Sequence, residues 1–223
     1  MNIFKYIFSI PKTILINFKI FPIKTAIKLP ILVGYNLKIG EIHKNSIIIN
    51  SPISRFMIKI NITEGSEGVN FSYLKNGYLK VSKNSKIIFN GKADFAIGTA
   101  IRVEKEGIIS FGSRFNCNKN CFFACDKNII FGNNVLLGWN VNIRDCDGHK
   151  IFKNSRMINC DKEVVIGNNV WVGANVDILK GSQIPNNCII GYRSCITKMF
   201  YEENCVIAGY PASILQKDVN WEI

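Results

Sequence analysis

An all-β chain built from short repeats is the fold class this sequence predicts, and three observations predict it. From Ile166 an aliphatic residue returns every six positions: Ile166, Val172, Ile178, Ile184, Ile190 and Ile196. A second inward-looking position lies four residues after each of the first five, at Val170, Val176, Ser182, Cys188 and Ser194. Glycine directly follows three of the aliphatic residues, as Gly167, Gly173 and Gly191. This is the hexapeptide pattern of a parallel β-helix. Each hexad makes one short flat strand and a corner, and three hexads close a triangular coil. A coil buries its aliphatic residues only by stacking on the next.

The pattern extends backwards with a variation. Ile97, Val103, Phe111, Cys117, Phe123, Phe131, Leu137 and Ile143 are separated by 6, 8, 6, 6, 8, 6 and 6 residues. Every third corner therefore carries two extra residues, and a 20-residue period links Ile97, Cys117 and Leu137. The next enlarged corner falls after Ile143, where the next inward position is Ile166. Residues 144–163 read as that corner grown into a loop. Loops held by a rigid scaffold are where functional residues concentrate.

The chain divides into four segments. Residues 1–30 are a basic, apolar leader, helical before Pro11 and again near "IKTAIK". The leader either packs on the domain or makes a peripheral contact with a membrane surface. Its lysines and prolines leave no run of about 18 uncharged apolar residues, so no membrane-spanning helix is expected. Residues 31–88 alternate as β-rich N-terminal coils, interrupted by loops such as "TEGSEG". The β-helix proper covers 89–208, and 209–223 form a C-terminal tail.

Composition narrows the classes. Hydrophobic residues make up 48% of the 223, enough for a sizeable core. The formal net charge of +12 suits an acidic partner, or reflects a bias toward Lys, Asn and Ile. The basic residues are spread along the chain without a nucleic-acid-binding module, so no nucleic acid is expected. The eight cysteines include no CxxC pair, and no secretory signal precedes them. They read as reduced thiols of a cytoplasmic protein. The only histidines are His43 and His149, which excludes a three-histidine zinc site; no metal is expected.

Two stretches carry a family resemblance. "GNNVWVGANVDILKGSQIPNNCIIGYRSCITK", followed by "CVIAGYPASIL", resembles the signature of left-handed β-helix hexapeptide acyltransferases. "VLLGWNVNIRDCDGHKI" resembles the polysaccharide and lipopolysaccharide O-acetyltransferase-like branch, which shares W-x-V-x-I-x-D-x-D-x-H. The resemblance covers roughly residues 85–215. It implies left-handed coils and homotrimers with active sites between neighbouring subunits. It also implies acetyl-CoA as donor and a sugar hydroxyl of a cell-surface polysaccharide as acceptor. Two alternatives stay open: N-acylation of an amino sugar or other small amine, and a binding β-helix without catalysis. Serine acetyltransferases share the fold but carry a long helical N-terminal domain, whereas the leader here reads as short of helix. Sugar N-acyltransferases with a nucleotide-binding front end are disfavoured, because no GxGxxG follows a strand.

Acyl transfer from a thioester needs a base for the acceptor's proton, and a neutral imidazole suits that task. His149 is the candidate. Asp145 or Asp147 is placed to accept the other ring N–H and fix the tautomer, as in triad logic. Each also reads, as an alternative, as a turn-forming Asp bonded to its own backbone. Trp139 and Arg144, at the mouth of the loop, are the acceptor-side candidates. The resemblance sets the main chain of Ala174 and Tyr192 against the CoA arm, Thr197 and Lys198 where a T-K pair approaches CoA, and Pro211 near the adenine. Trp171 lies either near the pantetheine or in trimer packing. One departure stands out. Ser213 and Gln216 occupy places where relatives carry basic residues, and "KMFYEENC" is one residue longer than the usual turn. Phosphate contacts are therefore expected to shift to Arg193 or Lys217.

Overall fold

A computed structural model of the chain describes residues 3–65 and 76–222. The architecture is a left-handed parallel β-helix. Among the described residues its strands line three flat faces. The first face runs from Ile31–Val33 through Ile58–Ile60, Ala93–Phe95, Phe115–Cys117, Leu136–Leu137, Trp171–Val172 and Ile189–Ile190 to Val206–Gly209. The second runs from Lys38–Ile39 to Cys195–Ile196, and the third from Ile47–Ile49 to Gln183–Ile184. Residues 31–60 already belong to the same stack as the rest, although their coils are long and uneven, 27 residues from Ile31 to Ile58 and 40 from Ile47 to Ile87. The expected "TEGSEG" loop lies partly outside the described residues.

The repeat reading puts the C-terminal coils in the observed register. Ile166, Val172, Ile178, Ile184, Ile190 and Ile196 are all buried, as are Val170, Val176, Ser182, Cys188 and Ser194. One earlier position is corrected. Phe95, not Ile97, pairs with Cys117, and Ile97 is only half-buried. The strand ends at Phe95, and the chain then turns through Gly98, whose φ is 83°. The spacing is thus 22 residues from Phe95 to Cys117, 20 from Cys117 to Leu137, and 18 from Val172 to Ile190.

The wider coils are filled by aromatic rings. Phe89, Phe95, Phe111, Phe115 and Phe123 are fully buried. Phe111 stacks on Phe89 at 5.3 Å and on Phe131 at 5.1 Å, with interplanar angles of 14° and 6°. Such pairs add about 0.5–1.5 kcal/mol beyond the area they bury. Asparagine serves the corners. Asn134, Asn140, Asn169, Asn175, Asn187 and Asn204 all have φ between 53° and 58°, a region Asn tolerates better than most residues. Their amides also link coils, Asn140 Nδ2 donating to Asn175 Oδ1 at 3.0 Å and Asn169 Nδ2 to Asn187 Oδ1 at 3.1 Å. The Asn-rich composition therefore has a structural use.

The first face is covered at both ends of the stack. The leader forms one helix, α1 (Ile3–Ile20), and a short turn, α2 (Ile23–Ala26). The expected break at Pro11 does not occur, and the leader is not short of helix. Proline forfeits one N–H bond, and Pro11 lies on the exposed side. The opposite side is pinned to the free edge of Ile31–Val33. Asn17 Nδ2 donates to the Ile31 carbonyl at 2.7 Å, and the Val33 N–H donates to Thr13 Oγ1 at 3.1 Å. The Tyr35 N–H donates to Ser9 Oγ at 3.0 Å. Buried edge groups need such partners. At the other end the tail is not a loose extension: Ala212–Gln216 folds back antiparallel on Val206–Gly209.

Candidate active site

The loop leaves the corner after Asn142–Arg144 on the second face and rejoins the third face at Val164–Ile166. This is the enlarged corner of the repeat, as the spacing implies. Its base is closed by the Lys162 N–H, which donates to the Asp145 carbonyl at 3.0 Å. Within the loop, Phe152–Lys153 and Arg156–Met157 form a small antiparallel hairpin.

Asp145 is wholly buried. Its carboxylate accepts the N–H groups of Asp126 and Lys127, both at 2.8 Å, and the Cys125 thiol at 3.3 Å. Burial raises its pKa, and the two backbone N–H bonds act against that rise. Its bonds thus tie the loop base to the coil below. Asp147 differs: it accepts Lys180 Nζ at 2.5 Å and Asn159 Nδ2 at 2.8 Å. Those bonds, the lysine's first, hold its pKa below the usual carboxylate range. The expected carboxylate–imidazole bond is absent: neither acid's described bonds reach His149.

His149 is exposed and follows Asp147 through Gly148, whose φ of 80° makes the turn. Its position is fixed through its main chain, because Asn159 Nδ2 donates to the His149 carbonyl at 2.7 Å. Asn159 Oδ1 also accepts the Ile151 N–H at 2.6 Å. One amide thus holds three points of the loop. Sequence reasoning missed Asn159 and Lys180, since single long-range polar contacts leave no period.

Beside the loop an open cleft of about 370 Å³ lies on the second face. Asn142, Arg144, Asp147, Asp177, Lys180 and Tyr210 supply its polar lining. Arg144 also lies over the Phe122 ring at 5.7 Å. The expected site residues frame this face from its two corners. On one corner Trp139, Ala174 and Tyr192 stack coil upon coil. The Asn175 N–H bonds the Trp139 carbonyl at 2.9 Å there, and the Arg193 N–H bonds the Ala174 carbonyl at 3.0 Å. Pro211 follows Tyr210 beside that corner. On the other, Thr197 and Lys198 follow the strand Cys195–Ile196, in line with the loop's origin. Trp171 stands apart: it lies on the first face, its ring 6.1 Å from that of Trp221.

The cations sort themselves. Arg193 lies over the Tyr192 ring at 5.5 Å and Lys198 over Phe200 at 5.3 Å, and neither is in an ion pair among the described residues. Lys217 is paired with Glu202 at 2.8 Å. Among the described residues no group of three or more His, Cys, Asp or Glu is arranged to hold a metal.

Residues 163–198 match the family model of the bacterial transferase hexapeptide (six repeats). No curated protein matches the sequence. Among solved structures, the polySia-specific acetyltransferase NeuO is 21% identical, with 87% of this chain and 89% of that one covered and a TM-score of 0.61. The polysialic acid O-acetyltransferase OatWY is 27% identical over 84% and 88%, with a TM-score of 0.46. A maltose O-acetyltransferase from Clostridium difficile 630 is 35% identical over 49% and 58%, with a TM-score of 0.43. The likeness to NeuO along nearly the whole length shows that the two chains share a fold.

Proposed function

We propose that the chain transfers an acetyl group from acetyl-CoA to a sugar hydroxyl during the building of a cell-surface polysaccharide. The observation that carries this reading is the loop: a coil of hexapeptide repeats extrudes an anchored turn whose Asp147, two residues before His149, lines an open polar cleft. NeuO, named for acetyl transfer to polySia, supports a glycan acceptor.

The donor fits the residues present. Among the described residues Arg193 and Lys198 have no acidic partner and suit phosphates, whereas Lys217 is already paired. Tyr192 is exposed at the corner where the Ala174 main chain stacks, which suits an arm lying along it. When bound, acetyl-CoA supplies the activated thioester. His149 takes the acceptor hydroxyl's proton as the oxygen attacks the acyl carbon, and gives it to the CoA thiolate that leaves when the C–S bond breaks, so that free CoA departs as the thiol. Arg144 and Trp139 flank the acceptor. Asp147 and Lys180 hold the turn, and Asp145 acts through the loop base rather than on the ring. The active unit is a homotrimer with sites between neighbouring subunits. It works in the cytoplasm, at the inner face of the membrane.

The test is His149→Ala. Acetyl-CoA-dependent transfer to sugar acceptors, followed by thiol release, should fall by at least about 100-fold, with the thermal midpoint unchanged. Wild-type turnover in that variant would remove His149 from the mechanism.

A further inference from the structure

The helix α1 is apolar on its solvent side as well as at its buried Ile16 and Ile20. Ser9, Thr13 and Asn17 face inward and are buried against the first strand. Phe4, Ile7, Phe8, Leu15 and Phe18 face outward in one stripe, which Ile23 continues on α2. Phe8 is 65% exposed and Leu15 71%, so this is no partly covered core. The inward hydrogen bonds fix the helix about its axis, and the stripe cannot roll into the coil to hide. A contiguous apolar stripe of this kind marks a docking surface.

We infer that this stripe rests in the surface of an anionic lipid bilayer. Charge selects that occupant. No Asp or Glu occurs before Glu41, and Lys19, Lys24 and Lys28 are exposed around the stripe. A second copy docking stripe to stripe would bring these lysines together, and the acid that the structure sets against the helix, Glu64, is already paired with Lys5. Lipid phosphates offset them directly. The helix is not long and apolar enough to cross a membrane, which leaves it lying in the interface. This surface stands independently of the acetyl-transfer reading, since it lies on the leader and shares no residue with the cleft.

The experiment is flotation of the full chain with phosphatidylcholine vesicles, with and without phosphatidylglycerol. The wild type should float with the phosphatidylglycerol vesicles, and added salt should weaken that binding. Phe8→Glu/Leu15→Glu should weaken it by at least about tenfold while leaving acetyl transfer to a soluble acceptor unchanged. Lys19→Ala/Lys24→Ala/Lys28→Ala should weaken binding to anionic vesicles by at least about tenfold. A Leu15→Trp variant gives a second readout, an added blue-shifted emission when vesicles are mixed in. Any of three results overturns the inference: no wild-type flotation, equal binding by the glutamate variant, or no emission shift. A glutamate variant whose native mass drops to a smaller oligomer, with the wild type indifferent to vesicles, would assign the stripe to a second copy instead.

Discussion

Ile143 and Asp145 are two residues apart and both are wholly buried, yet they are held by different means. Ile143 lies between Phe123 and Ile178 of the neighbouring coils, in strands that repeat the same pairing above and below. Asp145 lies among N–H groups of an earlier corner. The coil is fixed by a period that many residues share, and the loop by a few bonds that nothing repeats. A coil position therefore tolerates any apolar residue of suitable size, whereas a loop anchor tolerates few substitutes.

Breaking the coil side of this contrast should have the largest effect. Ile178→Asp buries an unpaired carboxylate, at a cost of several kcal/mol or a forced neutralisation. The variant should fail to give soluble, cooperatively melting protein, and normal thermal stability would show the register to be wrong. On the loop side, Asp145→Ala leaves the N–H groups of Asp126 and Lys127 without their acceptor. Stability should drop by about 2–4 kcal/mol in denaturant titration, with activity lost alongside.

Asn159→Ala sharpens the contrast further. It removes three exposed hydrogen bonds, so the stability change should stay within about 1 kcal/mol. Transfer should fall by roughly tenfold, because His149 loses its main-chain anchor. Equal activity would show that the turn holds itself. The smallest expected effect is that of pH on the two acids, and it has opposite signs. Asp147 has a lowered pKa, so its contribution is present at neutral pH and disappears as pH falls through that lowered value. Asp145 has a raised pKa, so its contribution is fullest in acid and declines as pH rises through the raised value. Comparing Asp147→Asn with wild type from pH 7 down to pH ~3 should show a stability difference that closes in acid.

The same contrast explains what the sequence reveals. The hexads after Ile166 and the corner that grows into the loop were legible because each is a departure from, or a continuation of, a period. Ile97 was misplaced because the wider coils shift their corner by two residues. The roles of Asp145 and Asn159 depend on partners 8 to 20 residues away and leave no pattern. The helix through Pro11 is hard to read for a related reason: its buried Ile16 and Ile20 are joined by Ser9, Thr13 and Asn17, polar residues where a wholly apolar face is the usual sign.

A stack of identical flat coils has no intrinsic length. Each terminal strand offers the next chain the same open edge that the coil beneath offered it, and a column of such chains would be a fibre. Here α1 occupies one of those edges, and the strand Ala212–Gln216 reverses direction on the other. The two caps act as terminators, and a single chain with both in place is a fibre stopped after its own length. Loss of either cap would be expected to show first as growth along the axis rather than as unfolding.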